Sequence, residues 1–129
     1  GYIDTDYKAK AEKALELLED HDIVYIHIEA PDEASHSGNI KEKIMAIENI
    51  DSKIVGPLYE NLSRDTRFMV VTDHATPISM KTHFACPVPY AIYDKGRSRN
   101  GFSGGFSEAI EGDILDGEGL IRLFIEYRD

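Results

Sequence analysis

The chain has 129 residues, of which 42% are hydrophobic and 29% are charged. That length suits one domain with a sizeable core, and the composition gives no sign of disorder. The excess of 24 acidic over 14 basic residues gives a net charge of -10, which argues against nucleic acid as a partner. Because no apolar run reaches the roughly 20 residues of a membrane span, we expect no membrane partner either.

The single cysteine, Cys86, cannot form an internal disulfide, which favours a reducing compartment and hence the cytoplasm. We expect the Cys86 side chain to be small and buried rather than a ligand. The sequence begins with Gly1 instead of Met, which suggests a processed or truncated chain.

The spacing of apolar residues predicts three helices. The first covers residues 7–19, and the second runs from Asn39, as N-cap, to about Leu62. Pro57 lies well inside the second helix and should kink or interrupt it. A short amphipathic helix is predicted at 118–127.

Three short apolar runs rich in β-forming residues predict strands at 22–28, 67–72 and 88–93. Pro89 has no amide hydrogen to donate to a neighbouring strand, so the start of the third strand should lie at a sheet edge or bulge. Near-continuous apolar strands alternating with a long helix indicate an α/β fold, with a mostly parallel sheet flanked by helices.

Histidines and carboxylates follow the predicted strands, at the sheet edge where α/β proteins bind their ligands. Asp32 and His36 come after the first strand, and one helical turn would bring both onto one face. Asp73 and His74 come after the second strand, and His83 precedes the third. Singly, each of these residues also suits a helix cap or a surface loop.

Mixed imidazole and carboxylate ligands suit Zn²⁺, Mn²⁺, Co²⁺ or Fe²⁺, and a site without thiolates is less often purely structural. Five such side chains are more than the protein usually supplies to one metal ion, but they fit a cluster of two ions about 4 Å apart. Adjacent Asp73 and His74 would point in opposite directions within a strand, so they can serve one cluster only where the strand has ended. His27 lies inside the first predicted strand and is expected to be a hydrogen-bonded core histidine.

Four motifs follow one another in a characteristic order. They are Val-x-Ile-His-Ile-Glu-Ala-Pro-Asp-Glu-Ala-Ser-His-Ser-Gly at 24–38, the segment 43–51, Thr-Asp-His-Ala-Thr-Pro at 72–77, and Lys-Thr-His at 81–83 ahead of Pro-Val-Pro at 87–89. This set resembles the C-terminal part of the archaeal-type cofactor-independent phosphoglycerate mutases, within the alkaline phosphatase superfamily. The resemblance implies an alkaline-phosphatase-like fold, with residues 1–129 as an incomplete half of the metal-binding domain.

The resemblance also implies an activity. The full-length enzyme would be an isomerase that interconverts 3-phosphoglycerate and 2-phosphoglycerate in glycolysis and gluconeogenesis through a phosphoserine, with phosphoglycerate as its substrate. It would use two divalent ions, Mn²⁺ or Zn²⁺ first and Co²⁺ or Mg²⁺ as alternatives. By motif position, one ion would be held by Asp32, His36 and His83, and the other by Asp73 and His74.

The chain departs from the family in one decisive respect. The family's nucleophilic serine and a further aspartate come from an N-terminal segment, and most substrate-gripping arginines come from an inserted domain. Neither segment has a counterpart here, and Ser35, Ser37 and Ser79 do not match the motif of the nucleophile. We therefore expect a fragment without a catalytic residue of its own, inactive alone and holding one ion or none. An exposed sheet edge would favour self-association.

Two other interpretations remain open. The chain can belong to a related phosphotransferase of the same superfamily, such as a homoserine kinase-like enzyme. It can also be a free-standing, non-catalytic metal-binding module, which predicts a closed hydrophobic surface and a stable monomer.

Overall fold

The computed structural model describes residues 2–94, 96, 105–109 and 112–126. Contacts divide the chain into two compact units, Gly1–Leu62 with Thr76–Phe84 and Ser63–Ala75 with Ala85–Asp129. Among the described helices, none combines the length and apolar character needed to cross a bilayer. In chain order, the elements are α1 (Tyr7–Leu17), α2 (Ala30–Ser37), α3 (Ile40–Ile50), a π-helical turn (Asp51–Val55), α4 (Gly56–Asn61), β1 (Arg67–Val71), β2 (Tyr90–Asp94) and α5 (Gly117–Glu126).

Helix α1 begins at a side-chain cap and forms one wall of the core of the first unit. The Asp6 carboxylate accepts a hydrogen bond from the Ala9 amide at 2.9 Å, which satisfies one of the free donors of the first turn. The apolar face of α1 then packs against the π-helical turn and α4. The helix predicted at 7–19 is thus confirmed, ending two residues early. The buried side chains of this core are Tyr7, Ala11, Ala14, Ile54, Leu58 and Leu62.

Helices α2 and α3 are joined by a two-residue corner. Gly38 ends α2 in the left-handed conformation, with φ of 76°, and the Asn39 amide donates back to the Ala34 carbonyl at 2.9 Å. The Asn39 side chain then accepts from the Glu42 amide at 3.2 Å and starts α3, as predicted. The two helices contact each other, and three of their alanine side chains are at most 2% exposed. These are Ala30, Ala34 and Ala46.

The long helix predicted from Asn39 to Leu62 is confirmed, with the expected interruption near Pro57. A proline ring clashes with the carbonyl four residues back in an α-helix and offers no amide donor. Here a π-helical turn precedes the proline, with the Gly56 amide bonded to the Asp51 carbonyl five residues back. The wider turn accommodates the ring, and α4 starts with Pro57 in its first turn.

The second unit contains the sheet that the structure describes. Strands β1 and β2 pair antiparallel, in a register that runs from Arg67 opposite Asp94 to Val71 opposite Tyr90. The Arg67 guanidinium lies 3.3 Å from the Asp94 carboxylate and donates to the Phe124 carbonyl at 2.5 Å, which ties the sheet to α5. Strand β2 begins at Tyr90, directly after the proline at position 89 and two residues later than predicted.

The prediction of a mostly parallel sheet is wrong for this strand pair, and the first predicted strand is absent from the described sheet. Residues 23–29 are assigned neither helix nor strand. Ile23 and Tyr25 are 60% and 76% exposed, whereas Val24 and Ile26 are half-buried. An apolar run indicates burial but does not specify the direction of a neighbouring strand, and a strand forms only where such a neighbour supplies hydrogen bonds.

Two further side chains are more exposed than predicted. His27 is not a core residue, because its side chain is 49% exposed and lies 3.5 Å from Glu29. It lies in the segment 23–29, which forms no strand, and its carbonyl oxygen accepts a hydrogen bond from Lys10 Nζ at 3.2 Å. Cys86 is also exposed, in a stretch before β2 that is assigned neither helix nor strand.

Replacing Gly38 with alanine should lower the free energy of unfolding by about 1–2 kcal/mol, because an L side chain is strained at positive φ. The new Cβ would also overlap the end of the Lys81 side chain, which is flexible and can move aside. Urea unfolding measures the change. The matched control is Gly56→Ala, where φ is -55° and the substitution should stabilise the helix by about 0.5–1 kcal/mol. Equal changes for both variants would contradict the backbone explanation.

Burial raises the pKa of the Tyr7 phenol above its ordinary value of 10.0. The folded chain therefore keeps this proton at a pH where the unfolded chain has lost it. The contribution of Tyr7 to stability is complete below the unfolded pKa and is lost as pH rises through 10 towards the raised pKa. Urea unfolding from about pH 8 to pH 11 should thus give a smaller loss of stability for Tyr7→Phe than for the wild type. Tyr2→Phe is the control, since Tyr2 is 64% exposed.

Candidate metal centre

Helix α2 carries the first two candidate ligands on one face. Asp32 lies in its first turn and His36 in its last, four residues apart. Pro31 starts the helix with the fixed φ that the first turn requires. His36 Nε2 lies 3.2 Å from Asp32 Oδ2, so the predicted spacing does bring the two side chains together.

The third candidate ligand comes from a distant part of the chain. His83 lies in the segment Thr76–Phe84, which belongs to the first unit although it is found between β1 and β2 in the sequence. His83 Nε2 is 3.1 Å from His36 Nε2 and 3.7 Å from Asp32 Oδ1. One ligand atom from each residue therefore lies within 4.8 Å of the other two. These three side chains form the ligand triad.

The orientation of His36 is set by a backbone carbonyl. His36 Nδ1 lies 2.9 Å from the Lys81 carbonyl oxygen, which can only accept, so Nδ1 carries the proton. In the neutral ring, Nε2 then keeps its lone pair and faces the other two ligands. Metal-binding histidines usually have this arrangement, in which the second nitrogen donates to a carbonyl or carboxylate. Lys81 has φ of 55°, which is uncommon for a residue other than glycine.

The ligand triad has the dimensions of a site for one divalent ion. Ligand atoms about 2.0–2.2 Å from a tetrahedral ion are about 3.4 Å apart. His36 Nε2 lies 3.1 Å from His83 Nε2 and 3.2 Å from Asp32 Oδ2, whereas the 3.7 Å separation joins His83 Nε2 to the other carboxylate oxygen, Oδ1. The side chains are 33 to 54% exposed, so a further coordination position is accessible from solvent. Two imidazoles and a carboxylate with an accessible position are typical of catalytic zinc sites.

The remaining candidate ligands, Asp73 and His74, lie in the second unit. Strand β1 ends at Val71, so both residues lie beyond the strand, as predicted. The His74 amide donates to Asp73 Oδ1 at 2.9 Å, and His74 Nε2 is 3.4 Å from Asp73 Oδ2. The side chains therefore turn towards each other, which a continuing strand would prevent.

Sequence reasoning missed two residues that contact the ligand triad. The Thr76 hydroxyl bonds to Asp32, and the Lys81 carbonyl bonds to His36. Thr76 carries a weak signal, since it is a hydroxyl residue just beyond a strand and close to two candidate ligands. The contact through Lys81 is invisible in the sequence, because every residue has a carbonyl.

Residues 2–117 match the family model of the Metalloenzyme superfamily. The chain therefore belongs to the Metalloenzyme superfamily, whose name agrees with the ligand triad.

Two individual relatives both bear the name of one enzyme. The chain is 46% identical over 132 residues to the 2,3-bisphosphoglycerate-independent phosphoglycerate mutase of Methanothrix thermoacetophila, covering 97% of this chain and 33% of that protein. It is 50% identical over 97 residues to the 2,3-bisphosphoglycerate-independent phosphoglycerate mutase 2 of Methanothermobacter thermautotrophicus. That match covers 74% of this chain and 24% of that protein. These names confirm the resemblance that the four motifs indicated.

A solved structure, that of the PH0037 protein from Pyrococcus horikoshii, matches with a TM-score of 0.69 and 33% identity. The match covers 72% of this chain and 28% of that one. The chain thus spans between 24 and 33% of the length of these three proteins.

Proposed function

We propose that this chain is part of a 2,3-bisphosphoglycerate-independent phosphoglycerate mutase and supplies one of its metal sites through Asp32, His36 and His83. The observation that carries the proposal is the convergence of these three ligand atoms within 4.8 Å. It occurs in a member of the Metalloenzyme superfamily whose relatives bear that enzyme's name. The names favour the mutase over a homoserine kinase-like phosphotransferase. On this proposal, residues 1–129 are part of the metal-binding domain.

The whole protein would hold two divalent ions, the second at Asp73 and His74. Imidazole and carboxylate ligands accept several first-row ions, so Mn²⁺ or Zn²⁺ are proposed first and Co²⁺ or Mg²⁺ as alternatives. Such ions neutralise charge on a transferring phosphoryl group and lower the pKa of a coordinated hydroxyl. The pair in the second unit offers only two side chains, so the isolated chain should bind the ion at the ligand triad more tightly.

The residues of this chain bind and orient rather than attack. His36 Nδ1–H donates a hydrogen bond to the Lys81 carbonyl oxygen, so the ring cannot turn without breaking that bond. The hydroxyls of two serines beside the triad already donate within α2, Ser35 to the Pro31 carbonyl and Ser37 to the Ala34 carbonyl. Both contacts support the expectation that neither is the nucleophile.

The relatives' names support the proposed substrate, and the single cysteine supports the proposed location in the cytoplasm. The whole protein would interconvert 3-phosphoglycerate and 2-phosphoglycerate as an isomerase in the cytoplasm. The chain alone would tend to self-associate along residues 23–28, where Ile23 and Tyr25 expose apolar surface on a segment that forms no strand.

The purified chain should bind one Mn²⁺ or Zn²⁺ per molecule, and His36→Ala and His83→Ala should each weaken binding about tenfold or more, because each removes a ligand. Calorimetric titration and elemental analysis measure affinity and stoichiometry. His21→Ala is the matched control, because His21 is exposed and its Nδ1 contacts the Leu17 carbonyl, within the helix-end turn.

Circular dichroism in metal-free buffer would verify that the histidine variants fold. If folded His36→Ala and His83→Ala bound metal as tightly as wild type, the ion would lie elsewhere and the proposed site would be wrong.

The 129 residues alone should not turn over 3-phosphoglycerate, even with saturating Mn²⁺, because no serine matches the nucleophile of the family. An enolase-coupled assay would detect the product, and a characterised full-length mutase serves as the positive control. Turnover that disappears in His36→Ala would show that the chain contains a nucleophile, contrary to this prediction.

A further inference from the structure

Thr76 is one of two buried polar residues in the described part of the chain, with an exposure of 7%. Its Oγ1 lies 2.5 Å from Asp32 Oδ1. An ionised carboxylate can only accept, so the threonine hydroxyl is the donor. Asp32 Oδ2, the other oxygen, is the one 3.2 Å from His36 Nε2. The hydroxyl therefore restrains rotation of the carboxylate, with Oδ2 directed at His36 and Oδ1 lying 3.7 Å from His83 Nε2.

Thr76 is itself held in place by a charged side chain. Lys43 Nζ donates to the Thr76 carbonyl oxygen at 3.0 Å, and Lys43 is half-buried on α3. Pro77 restricts the backbone of the residue before it to extended conformations. A continuous series of contacts thus runs from α3 through Lys43 and Thr76 to Asp32, all within the first unit.

We propose that Thr76 is a positioning residue for Asp32, and that Lys43 acts by fixing the Thr76 backbone. The inference rests on the proposed metal site. A carboxylate already aligned by a neighbour loses less conformational freedom when an ion binds, and residues that hold metal ligands typically contribute tenfold to a hundredfold in affinity. A purely structural role would be different, because a buried hydroxyl that only satisfies its own hydrogen bond would affect folding but not the geometry at the ion.

The test is a titration of the chain with Co²⁺, followed by its visible absorption spectrum. Thr76→Val keeps the shape of the side chain and removes the hydroxyl, so it should bind Co²⁺ about 10 to 100 times more weakly, with shifted ligand-field bands at saturation. Thr76→Ser retains the hydroxyl and should restore both affinity and spectrum. Lys43→Met should weaken binding by less than Thr76→Val, because it acts through the backbone of Thr76, and Lys43→Arg should recover part of that loss.

The matched control is Ser35→Ala. Ser35 is fully buried on the same helix as Asp32, and its hydroxyl donates to the Pro31 carbonyl rather than to a ligand. This variant should lose stability but keep the Co²⁺ affinity and spectrum of the wild type.

The outcomes separate the two proposals. If the wild type binds Co²⁺ and Thr76→Val matches it in affinity and spectrum, the positioning role is wrong and the metal site stands. An equal loss in Ser35→Ala would also overturn the positioning role, because general loosening of α2 would then explain the effect. If the wild type takes up no Co²⁺, the proposed metal site is wrong and the inference about Thr76 fails with it.

Discussion

The carbonyl oxygen of Lys81 accepts a hydrogen bond from Nδ1 of His36 across 2.9 Å, between residues 45 positions apart in the chain. This contact sets the proton on one nitrogen and leaves the other for the ligand triad. It also attaches the segment Thr76–Phe84 to α2, and that segment supplies His83 as the third ligand. The contact of α2 with this segment therefore assembles the candidate metal centre.

The segment keeps its shape through local and distant bonds together. The Met80 and Lys81 amides both donate to the Pro77 carbonyl, which forms a tight turn. Lys81 adopts a left-handed backbone conformation, which costs a residue with a side chain about 1–3 kcal/mol when the surroundings enforce it. The turn at Pro77 and the bond to His36 fix this conformation from both sides, so the strain is located next to the candidate metal centre.

Helix α2 carries two ligands on one face and buries small side chains elsewhere, where it contacts α3. Ala30 and Ala34 are fully buried, and Ala46 of α3 is 2% exposed. Small residues let the two helices approach closely, and close packing resists the displacement that larger gaps would permit. The left-handed conformation of Gly38 ends α2 within one residue, so the chain turns sharply into α3.

The sequence by itself determined the local features. The i,i+4 spacing placed Asp32 and His36 on one helical face, Asn39 marked a helix start, and Pro57 marked the interruption, because each of these effects acts within a few residues. The four motifs indicated the family for a different reason, namely their order along the chain.

Only the tertiary structure decided which distant groups meet. His83 and Thr76 reach Asp32 because a segment between two strands packs on a helix more than 40 residues earlier. The exposure of His27 and Cys86 and the antiparallel direction of β1 and β2 were likewise unpredicted. Apolar periodicity reports how a residue sits within its own element, whereas burial and strand direction depend on which other segments lie beside it.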